Sequence, residues 1–350
     1  MGLFILRRTG VMILTALCLT FIVFILTNLY PNLEKLAKTE GNFRMSDEAV
    51  ASWLDKNGYL QPMPVKYGQW LGVLPGWRTT TDEGITGRCI TGVVTPEEAE
   101  AAPSFCGVLQ GDWGYSTRFK DDVWTIIQTR LGNTAFLMMW VLILMVPSAL
   151  LIGVLAGMRE GSVTDRSLST ASILTTATPE YVSGVIFIAV FTSSTVGLKW
   201  FKGTATSAMN DANFENFFLP VLTIALYGIG YIARMTRASM TEVMTAQYIR
   251  TARLKGVSFP KIVMRHALRN ALIAPFTVIM LQFPWLLNGV VIVETLFNYK
   301  GFGWALVEAA GNNDIELLLG ISVVSVVVVL LTQLISDIGY VYLNPRIRIS

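Results

Sequence analysis

Charge is scarce in this chain. Asp, Glu, Lys and Arg make up 15% of its 350 residues, while 53% are hydrophobic, against about 25% charged residues in an ordinary soluble domain. Histidine occurs once, as His266, and cysteine three times with no Cys-x-x-Cys, which leaves little room for a metal site. No Gly-x-x-x-x-Gly-Lys-Ser/Thr run is present, so the chain has no evident means of holding ATP itself. The formal net charge is only +3, too small an excess for a protein that tracks nucleic-acid phosphates. The apolar runs contain no Ser/His pair, paired aspartates or His-rich group, which removes the usual intramembrane enzymes. A mean hydropathy of +0.53 points instead to an all-α polytopic membrane protein.

The apolar runs are long enough to be membrane spans. Arg7 and Arg8 precede the first, Thr9 to Leu29, which can cross a hydrocarbon core of roughly 30 Å. No small-x-small cleavage site follows it, so it reads as a retained anchor rather than a signal peptide, with the N-terminus in the cytoplasm. From Pro31 to about Trp124 the chain is polar and rich in Gly and Pro, and so lies outside the membrane on the far side. Ser46-Asp47-Glu48 and Thr95-Pro96-Glu97-Glu98 read as helix starts within it, and Leu74 to Thr95 as a turn-rich, flexible stretch. A second span is expected over Leu131 to Gly157, ending in a Gly153/Gly157 small-xxx-small face suited to close helix packing. A third runs from Ser167 to about Val196 and is broken at Thr178-Pro179-Glu180.

A rise of 1.5 Å per residue puts Glu180 about 20 Å from the cytoplasmic end. It is therefore either a structural hydrogen-bonding group or a residue lining a translocation path. The fourth, fifth and sixth spans are expected over Phe217 to Met240, Ala271 to Val293 with kinks at Pro275 and Pro284, and Ile315 to Tyr340. Glu294, at the outer end of the fifth, is a candidate gate or a carboxylate emerging into water. About half of the 27 Lys and Arg residues fall in the short cytoplasmic segments, and the long outer segment has more acids than bases, as the positive-inside rule requires. Cys18, within the first span, reads as a packing residue.

Between the fourth and fifth spans lies Tyr248 to Pro275, YIRTARLKGVSFPKIVMRHALRNALIAP, which carries seven basic side chains or histidine and no acid. Its punctuation predicts two helices meeting at an angle. Arg253 and Lys255 occupy the last turn of the first helix, Gly256 takes the left-handed position after it, and Ser258 offers a capping oxygen. Pro260 sits in the first turn of the second helix, which continues directly into the next span.

These residues resemble the cytoplasmic EAA loop of ABC-importer permeases. The wording Tyr-Ile-Arg-Thr-Ala-Arg-x-Lys-Gly followed by Arg-His-Ala-Leu-Arg-Asn-Ala is similar to the dipeptide/oligopeptide/nickel branch, with Thr251-Ala252-Arg253 standing where other branches have Glu-Ala-Ala. Pro64 to Leu71, Gly111 to Ser116, Glu294 to Trp304 and Asn344-Pro345-Arg346-Ile347-Arg348 resemble further family segments, whereas residues 72–109 do not and read as an external insertion between helices 1 and 2.

The resemblance implies a type I ABC importer permease fold of six transmembrane helices with both termini cytoplasmic, in a bacterial inner membrane. It implies an N-terminal helix (1–30), a periplasmic segment (31–125) and a permease core (126–350) whose coupling loop is 241–269. Arg250, Ala252, Arg253, Lys255 and Gly256 inherit the coupling role. The implied partners are a second homologous permease, two ABC ATPase subunits holding ATP and Mg, and a periplasmic binding protein that delivers peptide, with no nucleic acid and no cofactor in this chain. Relatives of similar wording handle nickel, opines or oligosaccharides, and an ion-driven secondary transporter using Glu180 is the alternative from another class. In an oxidising periplasm Cys89 and Cys106 are either a disulfide, worth about 3 kcal/mol through loop closure, or two free thiols.

Overall fold

The computed structural model describes residues 2–81, 84–90, 92–193 and 198–343; the expected outer end of the third span and the closing Asn344 to Arg348 motif fall partly or wholly outside them. In chain order the helices begin with α1 (Gly2–Thr27), α2 (Tyr30–Glu40), α3 (Asp47–Lys56) and α4 (Met63–Leu71). A hairpin of β1 (Arg78–Thr81) and β2 (Gly84–Gly87) follows, with Arg78 opposite Gly87 and Thr81 opposite Gly84. Then come α5 (Pro96–Ala101), α6 (Val123–Gly157), α7 (Val163–Ala177), α8 (Glu180–Phe191) and α9 (Phe214–Met244). The chain closes with α10 (Gln247–Leu254), α11 (Phe259–Lys261), α12 (Leu268–Ala271), α13 (Ile273–Leu296), α14 (Phe302–Gly311) and α15 (Ile315–Leu343).

Among the described residues, four helices are long and apolar enough to cross a membrane, over Leu6–Thr27, Val123–Gly157, Phe214–Met244 and Ile315–Gly339. The number rises to six if each of two bent pairs is one span: α7 with α8, bent by 103°, and Phe259–Ala271 with Ile273–Gln282, bent by 50°. The first break falls at Thr178-Pro179, where both residues leave helical geometry. Proline can neither donate to the preceding turn nor let its predecessor stay helical.

Contacts group the chain into two units: residues 1–9, 131–304 and 328–350, and residues 10–130 and 305–327. The second unit joins segments that are far apart in the chain. The reason is a shared core in which Phe24 of α1 packs with Leu33, Leu36, Val50, Leu54 and Trp70 and with Ile315 and Leu319 of α15.

In that second unit the helix starts follow their capping chemistry. Ser46 accepts from the Ala49 amide, and Thr95 with Glu98 forms a reciprocal capping box. The described residues of the stretch expected to be flexible are instead tied into structure. They form the hairpin, a bridge from Ile85 to Val94, and a disulfide from Cys89 to Cys106 with Cα atoms 5.5 Å apart. A run of β-branched residues, Thr79 to Thr81 with Ile85 and Thr86 across from them, pairs well as a short hairpin, and turn richness alone does not distinguish that from a mobile loop. Cys18 is an exposed thiol rather than a packed one.

In the first unit α9 is the hub, packed against α7, α8 and α13. Its contacts depend on missing side chains. A Cβ at Gly153 of α6 would strike Thr236 and the Ala233 carbonyl, and one at Gly157 would lie 2.6 Å from the Arg237 carbonyl and from Met240. Gly228 and Gly230 of α9 are filled in turn by Met145 of α6 and by Thr175 and the Ser172 carbonyl of α7. The small-xxx-small face thus packs within the chain. Gly157→Leu should overpack this contact and lower stability by about 1–3 kcal/mol, read as a lower thermal midpoint in detergent; an unchanged midpoint would mean that α6 and α9 do not approach this closely.

Candidate functional site

The basic stretch after α9 folds as an elbow whose inner face is apolar. Ile249 and Ala252 of α10 are buried with Met240, Met244, Ile262, Val263, Ala267 and Ala271. Ser239 donates to the Ala271 carbonyl at 2.8 Å, and Asn270 donates to the Tyr248 hydroxyl at 2.9 Å. The Arg159 guanidinium lies 5.4 Å from the centre of the Phe259 ring. Helix α10 ends in a paired-amide stop: the Gly256 amide donates to the Arg253 carbonyl and the Val257 amide to the Ala252 carbonyl, with Gly256 at φ +73° and Val257 packed back on the apolar cluster. That is the geometry in which glycine is favoured. A Cβ at Gly256 would meet nothing within 4 Å, so the position requires glycine for conformation, not for space.

Of the five residues assigned to coupling, Arg250, Arg253, Lys255 and Gly256 are exposed, while Ala252 turns inward and is buried. Leu254, between the two cations, is 82% exposed, an apolar tip that charge counting in the sequence passed over. Two details of the expected elbow differ. Ser258 occupies the capping position without a side-chain hydrogen bond. The second helix does not run straight on either: a π-type turn over Ile262–Ala267 and a break at Leu272 precede α13. The wider turn brings Ile262, Val263 and Ala267 all onto the buried side, which a regular α-helical stretch of this sequence would not do as well.

A second polar feature on α9 was missed at the level of sequence. Asp165, 2% exposed, receives Nε and Nη2 of Arg237 at 2.5 and 2.8 Å, the Gly161 amide at 2.9 Å and the Ser169 hydroxyl at 3.1 Å. Both carboxylate oxygens are engaged by the fork of one guanidinium. The signal was a mixed-charge loop and an arginine in the last turns of an apolar helix, but the pairing is 72 residues apart and invisible to periodicity.

The two candidate pathway carboxylates have unlike surroundings. Glu180 opens α8 directly after the Pro179 break and is half-buried, and its Oε1 is enclosed with no hydrogen-bond partner among the described residues. Glu294 is fully buried, which corrects the expectation of a carboxylate emerging into water. Thr134 donates to Oε1 at 2.5 Å and the Trp304 amide to Oε2 at 2.9 Å. The Thr134 hydroxyl accepts from the Phe302 amide at 2.8 Å. A Cβ at Gly301 would collide with the carboxylate, so the glycine lets the loop after α13 close over it. Tyr299, whose hydroxyl donates to the Asn133 carbonyl at 2.8 Å, secures the same loop; burial, then the Glu294 charge, raises its pKa.

Comparison with known proteins supplies the family. The model of the binding-protein-dependent transport system inner membrane component matches residues 149–349, which include α7 to α14, the elbow and Glu294. The chain belongs to this family. Relatives run the length of the permease. A probable peptide ABC transporter permease protein, y4tP of Sinorhizobium fredii, is 30% identical over 99% of this chain and 100% of its own length. The oligopeptide transport system permease protein AppB of Bacillus subtilis is 28% identical over 99% and 100%. The dipeptide transport system permease protein DppB of Escherichia coli is 28% identical over 99% and 98%. This protein is accordingly a multi-pass membrane permease subunit of an importer.

The Asp165–Arg237 pair gives a stability test of the permease core. Asp165→Ala strands a guanidinium beside α7 and should cost about 3 kcal/mol. The Asp165→Ala/Arg237→Leu double variant should cost less than the two single losses summed, read from denaturation midpoints in detergent. Additive losses would mean that the two side chains are not coupled.

Proposed function

We propose that this permease forms the translocation pathway for peptides and that its elbow transmits the work of separate ATPase subunits. The observation that carries the reading is the elbow itself, with Ile249 and Ala252 anchoring α10 to the bundle while Arg250, Arg253, Leu254 and Lys255 stand free at its outer face. A helix tied to the apolar cluster at the end of α9 can convert a push on its exposed face into movement of the spans. A partner that presents acids around an apolar socket would complement three cations about one leucine. In this reading a second related permease pairs with the chain, two ATPases hold ATP and Mg²⁺, and an external binding protein delivers cargo. The assembly sits in a bacterial inner membrane with both permease termini cytoplasmic. Peptide as cargo is supported by the names of the relatives, each a peptide, oligopeptide or dipeptide permease.

Access then alternates between two states whose populations ATP binding shifts. Glu180, at a break in an apolar helix pair with one oxygen unpartnered among the described residues, lines the path, and Glu294, bonded to Thr134 and the Trp304 amide, holds the outer loop closed as a fixed latch. The same Glu180 Oε1, without a partner among the described residues, is the one observation that favours an ion-driven carrier, a reading that gives the elbow no task.

Arg253→Glu or Gly256→Asp, assayed in proteoliposomes with the ATPases and binding protein, should leave the subunit folded and cut ATP-dependent peptide uptake by at least about tenfold. Uptake at the unaltered rate in both variants, or uptake driven by a proton gradient without nucleotide, would defeat the coupling proposal.

A further inference from the structure

The second unit contains a part-open cavity of about 450 Å³ that the transport proposal leaves unused. It is lined from the end of α1 and the turn after it, the last residue of α2 (Glu40), the end of α3 and the turn after it, α4, the hairpin with the residues that follow it, and the start of α15. The hairpin is brought in by close packing. Trp77 rests on Gly58, which has φ +71° and no room for a Cβ, since one would lie 2.6 Å from the indole. The Cys89–Cys106 disulfide fixes the chain next to Arg88, whose amide also donates to the Trp77 carbonyl at 3.0 Å.

The polar groups of this cavity are not matched to one another. Glu316, near the start of α15, lines the cavity beside the Trp70 indole, which is its one weak hydrogen-bonding neighbour, and feels the charge of Arg88; its Oε2, packed toward Gly114, makes no hydrogen bond among the described residues. Arg88 lines the same cavity with a buried Nε that is likewise unpartnered, and the two side chains form no ion pair. Lys66 does not answer the acid either: its ammonium donates to the Tyr59 carbonyl at 2.9 Å and, at 3.4 Å, to Asn28, and burial lowers its pKa. An enclosed acid and base held apart are costly, because each loses hydration without gaining the other. Aromatic faces complete the walls, Trp53 stacked with Tyr59 at a centroid separation of 5.9 Å and Trp77 beside them.

We propose that this cavity is a binding site for a small zwitterion, an amino acid or short peptide with free termini, whose ammonium pairs with Glu316 and whose carboxylate pairs with Arg88. The volume lies in the range of small-molecule sites, and a few convergent polar groups on an apolar, aromatic wall is how such sites obtain orientation. A cation also gains from the electron-rich ring faces next to the acid. The site shares no residue with the elbow or the Glu180 break, so it can be present or absent whatever drives translocation.

The test is calorimetric titration of the full chain in nanodiscs, without binding protein or nucleotide, using Ala-Ala and Phe-Ala and their N-acetylated and C-amidated forms. At least one free dipeptide should bind saturably at millimolar concentration or below. Acetylation, amidation, Glu316→Gln and Arg88→Gln should each weaken binding by about tenfold or more. Acetylated dipeptide should bind wild-type and Glu316→Gln chains alike, a cycle that a merely structural role for Glu316 would not produce. If a variant fails to fold, the ligand derivatives on the wild-type chain decide alone. Absence of saturable binding by both dipeptides, or binding indifferent to blocking either terminus, would overturn the proposal and leave the cavity to solvent.

Discussion

Close approach of backbones along α9 is the constraint on which the membrane unit depends. In lipid there is no hydrophobic gain from bringing two apolar helices together, so association rests on packing and on polar pairs. Gly153 and Gly157 admit α9 to the surface of α6, Gly228 and Gly230 admit side chains of α6 and α7 to the surface of α9, and Asp165 locks Arg237 where α7 and α9 meet. The last turns of α9 then continue the same packing beyond the apolar span, through Met240 and Met244, into the cluster that seats the elbow.

That continuity explains why the elbow has the form it does. A short helix of eight residues has little stability of its own. It stays folded because Ile249 and Ala252 are buried and because the stop at Gly256 satisfies its last carbonyls. The exposed side is therefore free to be chosen for recognition, and the sequence places cations and a leucine there. The π-type turn after it serves the same end, since it rotates three apolar residues onto one face before the next span begins.

Much of this was legible in the residues. Ser46 and Thr95 as caps, the break at Pro179 and the left-handed Gly256 all follow from local chemistry, which acts over four or five residues and survives into the fold. The elbow wording identified the family because its residue pattern is long and specific. What could not be read is whatever depends on pairing across distance: the Arg237–Asp165 fork, the burial of Glu294 under Gly301, and the order of the Thr-rich hairpin. Ala252 illustrates the boundary. Position in the motif assigns it to coupling, but only three-dimensional packing reveals that it anchors α10 from within.

Buried acids in this chain sort by whether their oxygens are matched, and the sorting carries functional content. Asp165 and Glu294 have both oxygens bonded within the protein. Asp314 accepts from the Ser116 hydroxyl at 2.5 Å, the Arg118 amide at 3.1 Å and the Leu317 amide at 3.3 Å. Such groups have recovered in protein contacts the hydration they lost, and removing them breaks structure. Glu180 and Glu316, both half-buried, each keep one enclosed oxygen without a partner among the described residues, and an enclosed oxygen left unbonded is a cost that a purely structural role does not require. One stands at a bent break in the membrane helices and the other in an aromatic cavity, both places where something from outside the chain can complete the bond. Under the transport and cavity proposals, these unmatched oxygens are where cargo or ligand would complete a bond that the chain leaves open.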